Sequence, residues 1–182
     1  MTNARYLPLA ALLLGAAACT SSVPPPAWDD GPPTEPGTLE QTQRAVDLFS
    51  SRFAVIGPQL AENVGDLYSA DTRFRDPITE VHGLAALQKY LAHFGEVSSG
   101  ARFRITDTVV QPGDAVVFWT MVMPGDGDTP GRTIQGLSHL KVRDRIYEER
   151  DYFDMGDAVY DHIPVLNWFT GLVKSRLAPP QE

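Results

Sequence analysis

Apolar positions change their spacing near residue 101, and the change separates a helical stretch from a stretch of strands. Thr38 followed by Gln41 has the form of a capping box, and Leu39, Thr42, Val46, Phe49 and Phe53 recur at helical spacing, which predicts a first helix from about Thr38 to Arg52. Gly57-Pro58 interrupts it, and Leu60, Val64, Leu67 and Tyr68 predict a second, short helix before Ser69-Ala70-Asp71. A brief extended piece, Thr72 to Arg75, ends at Asp76-Pro77, because the residue before proline is pushed out of the helical region. After Val81-His82-Gly83 a third helix carries Leu84, Leu87, Tyr90, Leu91 and Phe94, and Gly95 is expected to close it.

From Ala101 the period is two. Phe103 and Ile105 alternate with Arg102, Arg104 and Thr106, and Gln111 to Asp114 form a turn. Ala115 to Met123 is a nearly all-apolar strand, followed by a glycine-rich loop from Pro124 to Arg132. Thr133 to Arg143 and Ile146 to Phe153 make two more strands around an Asp144-Arg145 turn. Helices first and a meander afterwards predict an α+β fold, a curved antiparallel sheet with about three N-terminal helices on one face. A last amphipathic helix, Pro164 to Leu177, places Val165, Trp168, Phe169, Leu172, Val173 and Arg176 on successive turns. Its apolar stripe calls for a partner: the domain's own sheet, a neighbouring subunit or, against the short length and the two basic residues Lys174 and Arg176, a membrane.

The front of the chain is of another kind. Arg5 precedes 13 uncharged positions, Tyr6 to Ala18, rich in leucine and closing on Gly15-Ala16-Ala17-Ala18-Cys19. A positive start, an apolar middle too short for a comfortable membrane span of about 20 residues and small residues at a cut site make an export signal over residues 1–18. Residues 19–37 follow with six prolines among the thirteen positions from Pro24 to Pro36, an extended, solvated tether. A domain at 38–163 and the terminal helix and tail at 164–182 complete the organisation.

Charge and composition narrow the function. The 182 residues hold 15 Lys and Arg against 23 Asp and Glu, a net charge of −8, and losing the signal with its one Arg takes this to −9. Without a basic stripe longer than Lys141 to Arg145, nucleic acid is excluded as a partner. A single cysteine excludes an internal disulfide. The four histidines show no zinc-ligand spacing, Asp126-Gly127-Asp128 lacks the remaining ligands of a calcium loop, and the phosphate- and dinucleotide-binding glycine patterns are absent. No metal and no cofactor is expected.

Two resemblances carry the reading further. The run ending in Cys19 resembles the lipobox of bacterial lipoproteins, which implies cleavage before Cys19, acylation of its thiol and new amino group, and a lipid anchor in the cell envelope. Thr20, where an Asp would signal inner-membrane retention, implies the periplasmic face of the outer membrane in a Gram-negative cell. Leu67 to Pro77 with its Tyr-x-x-Asp and Asp-Pro steps, His82-Gly83, and the closing Arg150-Asp151-Tyr152-Phe153-Asp154 resemble the NTF2-like superfamily, in particular its SnoaL-like branch, kin of ketosteroid isomerases and polyketide cyclases. That resemblance, over residues 38–163, implies a cone-shaped fold with a pocket open at one end, and commonly a homodimer formed through the sheet.

Asp76 is the first candidate for chemistry, since the matching Asp of the isomerases is the general base, and a carboxylate in an apolar cavity is tuned toward neutral pH. Its structural alternative is to cap the following turn or to pair with Arg73 or Arg75. The isomerases also use a first-helix Tyr and a late-strand acid as donors to the enolate oxygen. Here Phe49 or Phe53 stands at the first place and Ser138 at the second, which disfavours steroid isomerisation. On the last strand Tyr147, Glu149, Asp151 and Phe153 share a face, and the superfamily pattern turns it into the cone. Repulsion between Asp76 and Asp151 would then hold one of them protonated. Alternatively, Glu149 and Asp151 pair across strands with Lys141 or Arg143. Asp76, Asp151 and Ser138 are thus the catalytic candidates, with Trp119, Glu149, Phe153 and Tyr68 as pocket wall. His139, on the opposite face from Ser138, reads as a surface or interface residue. Two functions remain: a lipid-anchored module that binds a small apolar ligand or dimerises, and a cofactor-independent isomerase, cyclase or hydratase with Asp76 as base.

Overall fold

The computed structural model describes residues 35–125 and 131–177. The export signal, Cys19, most of the tether, the tip of the 124–132 loop and the last five residues lie outside the described residues. Helix α1 spans Leu39–Phe53, and its capping box is formed, with Thr38 Oγ1 accepting from Gln41 N and the Gln41 side chain accepting from Thr38 N. A 3-10 turn, Pro58–Ala61, and the one-turn helix α2, Val64–Leu67, replace the predicted second helix. Tyr68 does not belong to that helix. It opens strand β1, Tyr68–Arg75, which is twice as long as expected, and the short β2, Glu80–His82, folds back on it. Helix α3 spans Leu84–Val97. Gly95 does not close it but is buried within it, where a Cβ would stand 2.2 Å from the Gly57 carbonyl oxygen, so glycine lets the two segments touch.

Strands β3 (Arg102–Gln111), β4 (Asp114–Met123), β5 (Arg132–Val142) and β6 (Ile146–Phe153) form the expected meander, with a three-residue turn, 143–145, before β6. The six strands make one sheet in the order β2-β1-β6-β5-β4-β3. All pairs are antiparallel except β1 with β6, so the sheet is mixed. Register shifts in β1–β6, β3–β4 and β5–β6 curve it. Helices α1 and α3 pack on the concave face over a core that includes Phe49, Leu87, Val117, Leu140 and Ile146. The architecture is the α+β arrangement that the change of period predicts.

After β6 come the short α4, Met155–Ala158, another 3-10 turn, and α5, Pro164–Leu177. The stripe of α5 does not lie on the domain's sheet: Trp168 is 65% exposed, Phe169 53% and Val165 65%. Its polar side instead meets the 3-10 turn just before it, where Asp161 accepts from Thr170 Oγ1 at 3.0 Å and Lys174 Nζ at 2.7 Å. Among the described residues no helix is long and apolar enough to cross a membrane.

Candidate functional site

Between α1, α3 and the concave face lies a cavity of about 190 Å³. Its walls are mainly apolar, and aromatic rings pack along them. Phe49 and Phe53 stack at 4.6 Å between centroids, Phe103 meets Trp119 at 4.6 Å, Trp119 meets Phe153 at 6.2 Å, and Phe74 meets Tyr90 at 4.8 Å. Trp119 fits because Gly136 faces it in register, and a Cβ there would stand 2.4 Å from the indole ring. Helix α1 thus brings phenyl rings, not a hydroxyl, to the cavity.

Three carboxyl groups break this apolar wall: Asp76, Glu149 and Asp151. Asp76 stands at the end of β1, where Pro77 terminates the strand, and it both caps the following turn and lines the cavity. Its Oδ1 caps the turn, accepting from Ile78 N at 2.7 Å and Thr79 N at 2.6 Å, while Oδ2 accepts from the Tyr90 hydroxyl at the cavity wall. Arg75 goes not to it but to Glu80, at 3.8 Å. A carboxylate oxygen has two lone pairs, so Oδ2 keeps one acceptor position beside Tyr90.

Glu149 and Asp151, two residues apart on β6, point the same way, as the alternation requires. Glu149 is fully buried and accepts from Tyr68 Oη at 2.5 Å. Burial pushes its carboxyl well above the usual range, and the neighbouring Asp151 and then Asp76 push further against the opposing Tyr68 hydrogen bond. Asp151 borders the cavity, half-buried, and accepts from Ser138 Oγ at 2.5 Å, while Ser138 in turn accepts from Trp119 Nε1 at 3.0 Å. Burial raises Asp151 to about 7, with the Asp76 charge in the same direction and the hydrogen bonds from Ser138 and Glu149 opposing. Burial and mutual repulsion thus favour a proton shared by the two carboxyl groups. Burial and the adjacent carboxyls keep the phenols of Tyr68 and Tyr90 protonated, so both remain donors.

Asp76, Asp151, Glu149, Trp119 and Phe153 thus meet at one cavity. Two expected residues stand behind the wall instead. Tyr68 is buried beneath Glu149, because it begins a strand rather than ending a helix, and Ser138 links Asp151 to Trp119 without lining the cavity. The cross-strand pairs proposed for Glu149 and Asp151 do not form: Lys141 bonds Asp114 and Arg143 bonds Asp71. His139 meets Asp114 at 3.0 Å on the convex face. Sequence reasoning missed Tyr90, whose helical spacing marked it only as core. Its polar tip on the inward stripe of α3 was the available signal. Among the described residues no group of three or more His, Cys, Asp or Glu could hold a metal ion.

Solved structures share this architecture at low identity. An NTF2-like protein of unknown function from Mesorhizobium loti is 18% identical and superposes with a TM-score of 0.53, over 68% of this chain and 97% of its own. A LEH-like epoxide hydrolase from M. tuberculosis is 16% identical, with a TM-score of 0.53 over 76% of this chain and 96% of its own. A protein of ketosteroid isomerase-like fold from Catenulispora acidiphila, in complex with trimethylamine, is 16% identical, with a TM-score of 0.54 over 64% and 89%. These likenesses place the fold in the NTF2-like class. Residues 45–149 match the model of the SnoaL-like domain, and the chain belongs to that family. No curated protein matches it.

Proposed function

We propose that the cavity takes up a small, largely apolar molecule carrying one oxygen function and moves a proton on it without a cofactor. The observation that carries this reading is the convergence of three carboxyl groups on one apolar cavity, two of them raised toward neutrality by burial. Asp76 Oδ2 is the base, taking a proton from a carbon next to a carbonyl. The proton held by Glu149 and Asp151 supplies the hydrogen bond to the oxygen on which charge develops, the part played elsewhere in the superfamily by donors that this chain lacks. The proton then returns from Asp76 to another carbon. Size sets the substrate: a cavity of about 150 Å³ accepts benzene, so about 190 Å³ suits a one-ring or short-chain compound rather than a steroid.

Solvent-deuterium incorporation into a panel of small enolisable ketones, followed by NMR, tests the reading. Exchange catalysed by the wild type and lost in Asp76→Asn and Asp151→Asn supports it. Binding without exchange favours the second reading, a noncatalytic binding module, which the phenyl rings of Phe49 and Phe53 in place of a hydroxyl support. In either case the reading keeps the body outside the cytoplasm on a lipid anchor at Cys19, tested by mass spectrometry of the mature N-terminus. It also includes a homodimer through the convex sheet face, where Phe118, Leu137 and Tyr152 align in register, tested by light scattering.

A further inference from the structure

The carboxyl groups occupy one end of the cavity, and Arg132 lines the other. It is the one Lys or Arg in the cavity wall among the described residues. Arg132 opens β5 opposite Met123, and it shares the concave face with Ile134, Gly136 and Ser138 by alternation. Ser138 is the residue that faces Asp151. Six residues of strand separate them, about 20 Å at 3.4 Å per residue. The wall between is apolar, formed by Phe103, Trp119, Met121 and Ile134.

The guanidinium is thinly satisfied. Its Nε donates to Met123 Sδ at 3.2 Å, a weak acceptor, and among the described residues it enters none of the ion pairs. A guanidinium has five donors in a planar fork, so four N–H groups remain at the edge of this largely apolar cavity. In such a place an anionic group gains more from the fork than it would in water.

We infer that Arg132 is the specificity-determining residue of this cavity and that its ligands are small apolar carboxylic acids, bound with the carboxylate on Arg132 and the apolar body pointing toward Asp151. The inference rests on the reading of the cavity as a binding site and adds the chemical class of the ligand. A single carboxylate fits because one guanidinium faces it, while a more highly charged head would meet the repulsion of Asp76 and its neighbours without a second cation to offset it. The orientation follows from charge: the acidic end of the cavity repels the carboxylate, so the uncharged end of the molecule points toward Asp76 and Asp151.

Isothermal titration calorimetry at neutral pH with 3-phenylpropionate and its uncharged isostere 3-phenylpropionamide tests the assignment. The wild type is expected to bind the acid at least tenfold more tightly than the amide. Arg132→Gln is expected to bring the two within about twofold by weakening the acid alone, and Arg132→Lys to keep part of the preference. Urea midpoints of both variants check that the fold is kept. Equal binding of acid and amide by the wild type, or a preference that survives in Arg132→Gln, overturns the role of Arg132 while leaving the cavity reading standing. Failure of the wild type to bind either compound overturns the cavity reading and the assignment with it.

Discussion

Asp151→Asn separates a buried, proton-sharing carboxyl from an ordinary surface one. In the folded protein burial raises Asp151 to about 7, whereas in the unfolded chain it titrates near its free value of about 3.9. A group raised on folding contributes most below its unfolded value, and that contribution is lost as the pH climbs to the folded one. Stability attributable to Asp151 is thus full below about pH 4, falls between about pH 4 and 7, and then levels off. At 1.36 kcal/mol per pKa unit the loss is at most about 4 kcal/mol, and water reaching this half-buried group through the cavity cuts it to roughly half. Asparagine has nearly the same shape, accepts from Ser138 as before and can turn its amide toward Glu149, but it never ionises. The variant should match the wild type near pH 4 and exceed it by about 2 kcal/mol at pH 8. Urea unfolding from pH 4 to 9 measures this. Comparing the two proteins cancels other titrations, such as that of Asp71, which Ser69 and Arg143 hold below the usual carboxylate range. A difference curve flat across pH 4 to 8 would refute the buried dyad.

Other substitutions probe the supports of the site. Glu149→Gln keeps an acceptor for Tyr68 and a donor for Asp151, so it should fold with a pH 7 stability within about 1 kcal/mol of wild type, whereas Glu149→Ala strands the Tyr68 hydroxyl and should cost about 3 kcal/mol. Circular dichroism melts read both. Gly95→Ala drives a methyl group into the Gly57 carbonyl and should cost about 2 kcal/mol or more, seen as a fall in Tm of several degrees. Thr38→Ala removes the cap of α1 and should cost about 1 kcal/mol in the same melt.

What could be read from the chain was local. Thr38 and Gln41 announce the start of α1 because a capping box is a contact three residues long. The parity of β6 puts Glu149, Asp151 and Phe153 inward because alternation is a property of any strand. Asp76 is legible through its proline, and the α+β order through the change of period. Tyr68 was misplaced because Leu60, Val64, Leu67 and Tyr68 also satisfy a helical spacing, and only pairing with β6 makes that tyrosine a strand residue. Tyr90 reaching Asp76, and Ser138 joining Asp151 to Trp119, depend on how separate elements pack, which no local pattern encodes. For α5 periodicity revealed an apolar face without saying which side meets the turn before it. The hydrogen bonds of Thr170 and Lys174 to Asp161 decide that, and they turn the apolar side outward.

The parallel pairing of β1 with β6 has a kinetic consequence. Strands β3 to β6 follow one another in the chain as antiparallel neighbours and can zip up as successive hairpins, but β1 must wait for a neighbour from the far end of the chain, and the Tyr68–Glu149 bond spans 81 residues. Such distant contacts form late, after the loop-closure entropy has been overcome. The acidic end of the cavity is therefore assembled last on the way to the native state, and weakening the Tyr68–Glu149 contact should hasten unfolding while leaving the refolding rate almost untouched.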